Sequence, residues 1–204
     1  KFAYVQSDEI TIILTDYDTL ETDCWFNYRT DKLCSISASM ATMAFNKFFY
    51  NMVMEETAGG EFTEGIAGIH LNAAEKGAMF DARCFNIPKE EVTNLIYWRQ
   101  LDAARNSVQM VGQANFSHKE LQNKSCNMIQ DMLHEQKGIN WNDFPVDCKR
   151  GAAVIKKKIG TNIAAACGIT GATYENRWVI DRNMPMLKGE DRKYLDDLVY
   201  VGES

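Results

Sequence analysis

Among its 204 residues the chain has no apolar run long enough to cross a bilayer. The richest stretch, residues 38–53, is interrupted by Asn46, Lys47 and Asn51. No Cys-x-x-Cys pair occurs, and none of the three histidines (His70, His118, His134) lies at zinc-finger spacing from two of the six cysteines, which argues against a zinc module. Cys24, Cys34, Cys84, Cys126, Cys148 and Cys167 are therefore expected to be reduced thiols of a cytoplasmic protein. The histidines are far apart and have no nucleophile beside them, so a Ser-His-Asp or Cys-His mechanism has nothing to build on. A Walker-type GxxxxGK[ST] motif is missing, and Gly65-x-x-Gly68 does not replace it. The first residues carry no secretory pattern. The chain opens on Lys1, inside what reads as a strand, and the expectation is that the natural N-terminus lies upstream.

What is present suits a globular protein. Hydrophobic residues make up 46% and charged residues 25%, enough to core one domain, alone or with a small appendage. The net charge of −6 is unevenly spread: residues 148–193 hold ten Lys/Arg against four Asp/Glu, a local +6, and the rest carries −12. A basic C-terminal third on an acidic body suits a polyanion, or is simply a solvated surface.

Residues 1–5 and 10–14 flank the polar Gln6-Ser7-Asp8-Glu9 and predict a β-hairpin. Residues 25–56 predict one long helix, stopped by Ala58-Gly59-Gly60. Residues 61–77 are Gly-rich and expected to be irregular, and 78–87 predict a strand. Pro88 opens a helix running to about residue 112, its acidic Glu90 and Glu91 suiting the positive end of the dipole. Residues 117–137 predict a second helical region, capped by Ser117-x-x-Glu120 and broken near Asn123. Strands follow at 151–159 and 177–181, and a final helical turn or two at 189–198. Together they predict an α+β domain with helices on one face of a sheet.

Four places carry candidate chemistry. Ser7-Asp8-Glu9 sets two adjacent carboxylates at a tight turn; they are eased by a hard cation such as magnesium, or serve solubility alone. Arg29 and Lys32, three apart, share a helix face that could hold a triphosphate, or form a solvated face with Asp31 as partner. In Phe80-Asp81-Ala82-Arg83, strand alternation puts Asp81 and Arg83 on one side, as support for the site or as an ordinary pair. In Trp98-Arg99-Gln100-Leu101-Asp102, helical spacing lines up Trp98, Asp102 and Asn106, a stripe facing nucleic acid or a solvated face with Trp98 in the core.

Taken in order, with Cys148-Lys149-Arg150-Gly151 leading into a strand, these motifs resemble the tRNA-histidine guanylyltransferase family and its relatives, the 3′–5′ reverse polymerases. The resemblance runs from Gln6 to Gly151. It implies a polymerase-palm-like, ferredoxin-like antiparallel sheet with its N-terminal part missing: a palm-like nucleotidyltransferase domain over 1–147 and a basic segment, 148–204, packed on it. It implies two magnesium ions, with Asp8 and Glu9 as metal-binding and catalytic residues. Ser7, Arg29 and Lys32 match positions near nucleotide phosphates. Asp81, Arg83, Trp98, Arg99, Asp102, Asn106, Lys149 and Arg150 match positions that contact tRNA or support the site.

The family activates a tRNA 5′ end with ATP, after which the 3′-hydroxyl of GTP attacks it; a tetramer is also implied. Two departures matter. The family's other metal-binding aspartate, in a strand and glycine turn before the Ser-Asp-Glu motif, has no counterpart here. Where the eukaryotic enzymes carry His-Ile-Asn-Asn, this chain reads Ala104-Arg105-Asn106-Ser107 and keeps only the asparagine, which favours the branch that repairs truncated tRNA 5′ ends. The alternatives are a non-catalytic tRNA-binding module and another palm-domain enzyme, such as a nucleotide cyclase.

Overall fold

The computed structural model describes residues 1–161 and 173–200. The expected hairpin is there. Strand β1 (Phe2–Gln6) pairs antiparallel with β2 (Glu9–Ile13), with Gln6 opposite Glu9, so Ser7 and Asp8 form a two-residue turn. Ser7 has φ of 47°, the left-handed conformation that such turns demand of a central residue. β3 (Ala152–Thr161) joins the other side of β1, and β4 (Thr173–Asp181) pairs with β3. The result is a four-stranded antiparallel sheet in the order β2-β1-β3-β4. Both C-terminal strands are longer than their sequence patterns suggested, and most of the Gly-containing stretch between them lies outside the described residues.

Period-two alternation along β1 buries Phe2, Tyr4 and Gln6 and leaves Ala3 and Val5 on the opposite side. The buried face meets α3 (Lys89–Asn115) and α7 (Lys193–Val199): Val92, Ile96, Leu195 and Val199 pack with Phe2, Tyr4, Ile13, Ala153 and Ile155. Each fully buried aliphatic side chain here contributes roughly 1.5–3 kcal/mol. The opposite face presents Ile12, Tyr174, Trp178 and Ile180, all more than half exposed. The expected α+β arrangement, with helices on one face, is therefore present.

Helix α3 begins after Pro88, with Glu90 and Glu91 in its first turn, and extends past residue 112. Along it Val92, Ile96 and Val108 are buried, whereas Leu101 is 38% exposed. Its C-terminal half packs with α5 (Cys126–Lys137) in a second core of Val108, Phe116, Ile129 and Leu133. The Ser117–Glu120 capping box holds the short α4 (His118–Leu121), and Asn123, at φ of 60°, breaks the chain before α5 as expected. A 3-10 turn at Trp141–Asp143, helix α6 (Val146–Arg150) and a 3-10 turn at Gly189–Arg192 complete this part.

By its contacts the chain divides into two compact units, Lys1–Asp18 with Ile87–Ser204, and Thr19–Asn86. The second unit corrects three expectations. Helix α1 spans Thr30–Gly59 and does not reach back to residue 25. Phe26, Asn27 and Tyr28 all lie in the left-handed region, at φ of 53°, 50° and 57°, which no right-handed α-helix tolerates. Residues 61–77 are not irregular: α2 (Glu64–Lys76) starts after Thr63 and ends before Gly77. Its glycines are tolerated as helix interior, and Ile66, Ala67, Ile69 and Ala73 recur at helical spacing. Residues 78–87 form no strand. They run extended along α1, whose Asn46 amide donates to the Ala78 carbonyl (2.9 Å) and accepts from its N–H (2.7 Å), while Thr42 Oγ1 accepts from the Phe80 N–H (3.0 Å). Helix side chains thus satisfy a backbone that would otherwise need a neighbouring strand. The expected stop of α1 holds: Gly60 adopts φ of 75° and its N–H returns to the carbonyls of Glu56 and Thr57. No helix of the described residues is long and apolar enough to cross a membrane.

Candidate active site

The turn between β1 and β2 exposes Ser7, Asp8 and Glu9 at one end of the sheet. Two groups hold the Glu9 carboxylate. The buried Gln6 side chain donates to it at 3.0 Å, and Arg99, from α3, pairs with it at 3.1 Å. Asp8, one residue away, has no side-chain partner among the described residues. One carboxylate of the pair is thus oriented by the fold and the other is left facing solvent.

Below the turn, Tyr4 donates its hydroxyl to the Arg150 carbonyl at 2.5 Å. Burial pushes the Tyr4 phenol above its ordinary range, the nearby Arg99 offsetting this and Glu9 adding to it, so Tyr4 stays a protonated donor. Gly151 makes this approach possible. At φ of 79°, a Cβ there would meet the Val5 carbonyl oxygen at 2.5 Å and the Tyr4 oxygen at 2.7 Å. Gln6 Oε1 and Arg150 Nε are buried with no hydrogen-bond partner among the described residues. An acceptor and a donor left over in this part of the fold are groups that a water or a polar ligand would satisfy.

The Trp98-Arg99-Gln100 motif is divided by helical geometry. Arg99 reaches Glu9; Trp98 is 69% exposed and is not a core residue. Gln100 is fully buried, donating to the Pro185 carbonyl and accepting from the Leu187 N–H, both at 2.9 Å. No residue pattern in the sequence signals that structural role of Gln100. Asp102 binds Arg105 (2.7 Å) and Asn106 (3.3 Å), so the Trp98, Asp102 and Asn106 stripe exists on the α3 surface. Ser107 is tied inward, accepting from the Trp141 indole at 3.0 Å. Lys149 packs over the Trp141 ring and donates to the Asn142 carbonyl. A hollow of about 640 Å³ lined by Gln109, Gln113, Phe116, Gln122 and Lys124 includes none of these site residues.

In the second unit, Arg29 precedes α1 instead of sharing its face with Lys32, because the left-handed turn ends there. Its guanidinium pairs with Asp31 at 2.8 Å and holds that carboxyl below the usual range. The Lys32 ammonium lies 5.8 Å from the Phe26 ring centroid, and Phe26 stacks on Trp25. Three consecutive non-glycine residues in the left-handed region are a costly conformation, and it stands directly before two candidate phosphate-binding cations. Nothing in the residue pattern signals it. Asp81 and Arg83 pair at 3.2 Å on one side of the extended segment, both more than 80% exposed, so their alternation holds without a strand.

The Thg1 (tRNAHis guanylyltransferase) family model matches residues 1–88. A solved bacterial tRNA(His) guanylyltransferase (Thg1)-like protein in complex with ATP is 39% identical, with a TM-score of 0.72, over 98% of this chain and 71% of its own. The chain belongs to the tRNA(His) guanylyltransferase family. A second bacterial Thg1-like structure, in complex with GTP, is 35% identical with a TM-score of 0.65, over 98% of this chain and 69% of its own. The tRNA(His) guanylyltransferase of Saccharomyces cerevisiae is 26% identical over 166 residues, 76% of this chain. The chain spans 62% of that yeast enzyme. The palm-like α+β architecture is the one the family shares.

Proposed function

We propose that this protein adds nucleotides to the 5′ end of a tRNA, in the 3′–5′ direction, after activating that end with ATP. The observation that carries this reading is the β1–β2 turn, where Glu9 is held by Arg99 and Gln6 while Asp8 stands open. Family relatives solved with ATP and with GTP support the choice of nucleotides.

The donor set suits magnesium. Asp8 and Glu9 offer hard carboxylate oxygens, and magnesium is commonly held by one or two carboxylates together with substrate phosphates. Among the described residues no group of three or more His, Cys, Asp or Glu side chains is poised for a metal, so further donors must complete a two-ion site. Bound there, magnesium would supply Lewis-acid stabilisation of phosphoryl oxygens. The chain's own residues do the rest. Arg99 and Gln6 fix the Glu9 carboxylate. Ser7 stands at that turn, and Arg29 and Lys32 are assigned to phosphate binding, Arg29 exchanging its Asp31 partner for a phosphate. The basic segment from residue 148, with the cations of Lys149 and Arg150, meets tRNA phosphates, and the Trp98 stripe faces the nucleic acid.

Acceptor choice follows from residues 104–107. Ser107 is engaged with Trp141 and Asn106 with Asp102, so little hydrogen-bonding capacity is left there to read one tRNA end. Discrimination by that route is weak, and addition is directed by pairing with the opposite strand. The protein is placed in the cytoplasm, and it self-associates, the latter supported by Met40, Met43 and Phe48, all exposed on α1.

The test is nucleotide addition by full-length protein to intact histidine tRNA and to 5′-truncated tRNAs. Asp8→Ala is expected to lower addition by about a hundredfold or more, with thermal stability nearly unchanged. Near-normal addition by that variant overturns the reading. Untemplated guanosine addition confined to intact histidine tRNA overturns the repair role alone.

A further inference from the structure

Two of the six cysteines meet in the second unit. The Sγ atoms of Cys34, in the second turn of α1, and Cys84, on the extended segment, are 3.6 Å apart. They are 50 residues apart in sequence, so only the folded unit brings them together. Cys34 is half-exposed and Cys84 exposed, within reach of small oxidants. The Cys84 thiol also lies 3.9 Å from the Thr30 carbonyl, in the first turn of the same helix. Other thiols have different surroundings: Cys24 contacts the Asn27 side chain, and Cys126 the Arg105 carbonyl.

We propose that Cys34 and Cys84 are a modification site, a dithiol that closes to an intramolecular disulfide when a hydroperoxide reaches it. In the first step the Cys34 thiolate attacks a peroxide oxygen, the O–O bond breaks, and sulfenic acid and hydroxide form, the hydroxide taking up the proton that the Cys34 thiol released to become water. In the second, the Cys84 sulfur attacks the Cys34 sulfur and displaces hydroxide, which leaves as water with the Cys84 proton. Two thiols lose two electrons and two protons in all, and one hydrogen peroxide becomes two waters. The Cys34 contact raises the Cys84 pKa, so Cys84 is not the thiol that attacks the peroxide first. A disulfide needs its sulfurs about 2.05 Å apart, so the pair must close by about 1.5 Å. Cys84 lies outside any helix or strand and can make that adjustment.

The bond would staple the extended segment to the start of α1. Cys84 follows Arg83, and Cys34 lies two residues after Lys32, so the staple is next to two residues assigned to the nucleotidyl-transfer site. An effect on nucleotide addition rests on that assignment; the cross-link itself does not.

The full chain, reduced and then exposed to graded hydrogen peroxide, is alkylated and digested without reductant. The expected product is a Cys34–Cys84 linked peptide, lighter by two hydrogens than its parts and restored by dithiothreitol. Deuterium exchange across residues 78–86 slows in the oxidised form. Cys34→Ser and Cys84→Ser each remove the link. Alkylation of both cysteines at doses that oxidise the other thiols overturns the proposal, as does pairing of either with a different cysteine. Nucleotide addition is measured on the same samples. If oxidation changes it in the wild type but not in Cys34→Ser, the site assignment is supported; if the link forms and addition is unchanged, that assignment fails while the dithiol stands.

Discussion

The two compact units are stabilised differently. The sheet unit buries Phe2, Tyr4, Ile96, Leu133, Met184, Leu187, Leu195 and Val199 almost completely, and ties distant segments through Arg99–Glu9, Lys157–Asp181 and Arg182–Asp147. The helical unit buries Val53 and Ala67 and leaves Met43 and Phe48 about seven-tenths exposed. Its ion pairs, Arg29–Asp31 and Arg83–Asp81, join residues two apart. One unit is thus a cored domain, while the other relies on its helices, their caps and hydrogen bonds to an extended segment. The cored unit carries the Glu9 carboxylate with its Arg99 and Gln6 partners, and the other carries Arg29, Lys32 and unspent apolar surface.

The largest effect that would break this contrast lies in the core. Ile96→Ala should cost about 4 kcal/mol in urea denaturation, independent of protein concentration. Met43→Ala should cost under about 0.5 kcal/mol in dilute protein, any larger loss appearing only where chains associate. Equal costs in dilute solution would erase the distinction. Glycines make a second contrast. Gly151→Ala should destabilise by about 3 kcal/mol, since its Cβ would strike the Val5 carbonyl at a positive φ. Gly68→Ala, with nothing within 4 Å of the new methyl group, should instead stabilise α2 by about 0.5–1 kcal/mol, read as a rise in Tm.

The smallest effect is ionic. The Arg182 hydrogen bond holds the Asp147 carboxyl below its ordinary range. A lowered native pKa adds stability above the unfolded value, about 3.9, and that stability is lost as pH falls through the native value. Arg182 is 67% exposed, so Arg182→Ala should cost only about 0.5–1 kcal/mol at neutral pH, with the gap to wild type closing below about pH 4. A gap that persists in acid would mean that Arg182 acts by packing.

What the sequence disclosed was local chemistry. The hairpin, the capping box, the break at Asn123 and the acid-led start of α3 each depend on a few adjacent residues. The Ser7-Asp8-Glu9 turn was legible for the same reason. The hold of Arg99 on Glu9 spans 90 residues, and no pattern in either segment announces it. Phe26, Asn27 and Tyr28 bring no glycine or proline to mark a break, so their left-handed turn is invisible in the pattern, which runs the helix from residue 25 through Arg29. In α2 the glycines predict an irregular segment because the packing of α1 and α2, which outweighs their propensity, is tertiary. Residues 78–87 alternate as a strand does, but side chains of a helix take the place of a partner strand.

That substitution has a metrical consequence. Thr42 and Asn46 stand four residues apart on α1, about 6 Å along its axis. The backbone groups they hold, at Ala78 and Phe80, are two extended residues apart, about 6.6 Å. One turn of helix and one pleat of extended chain are nearly commensurate, so the helix serves as a ruler for the segment beside it. A residue inserted between Thr42 and Asn46 would turn one of them away by about 100° and lose that match. The register of the segment against α1 is therefore written in the helix pitch, and length changes in this unit belong in its turns.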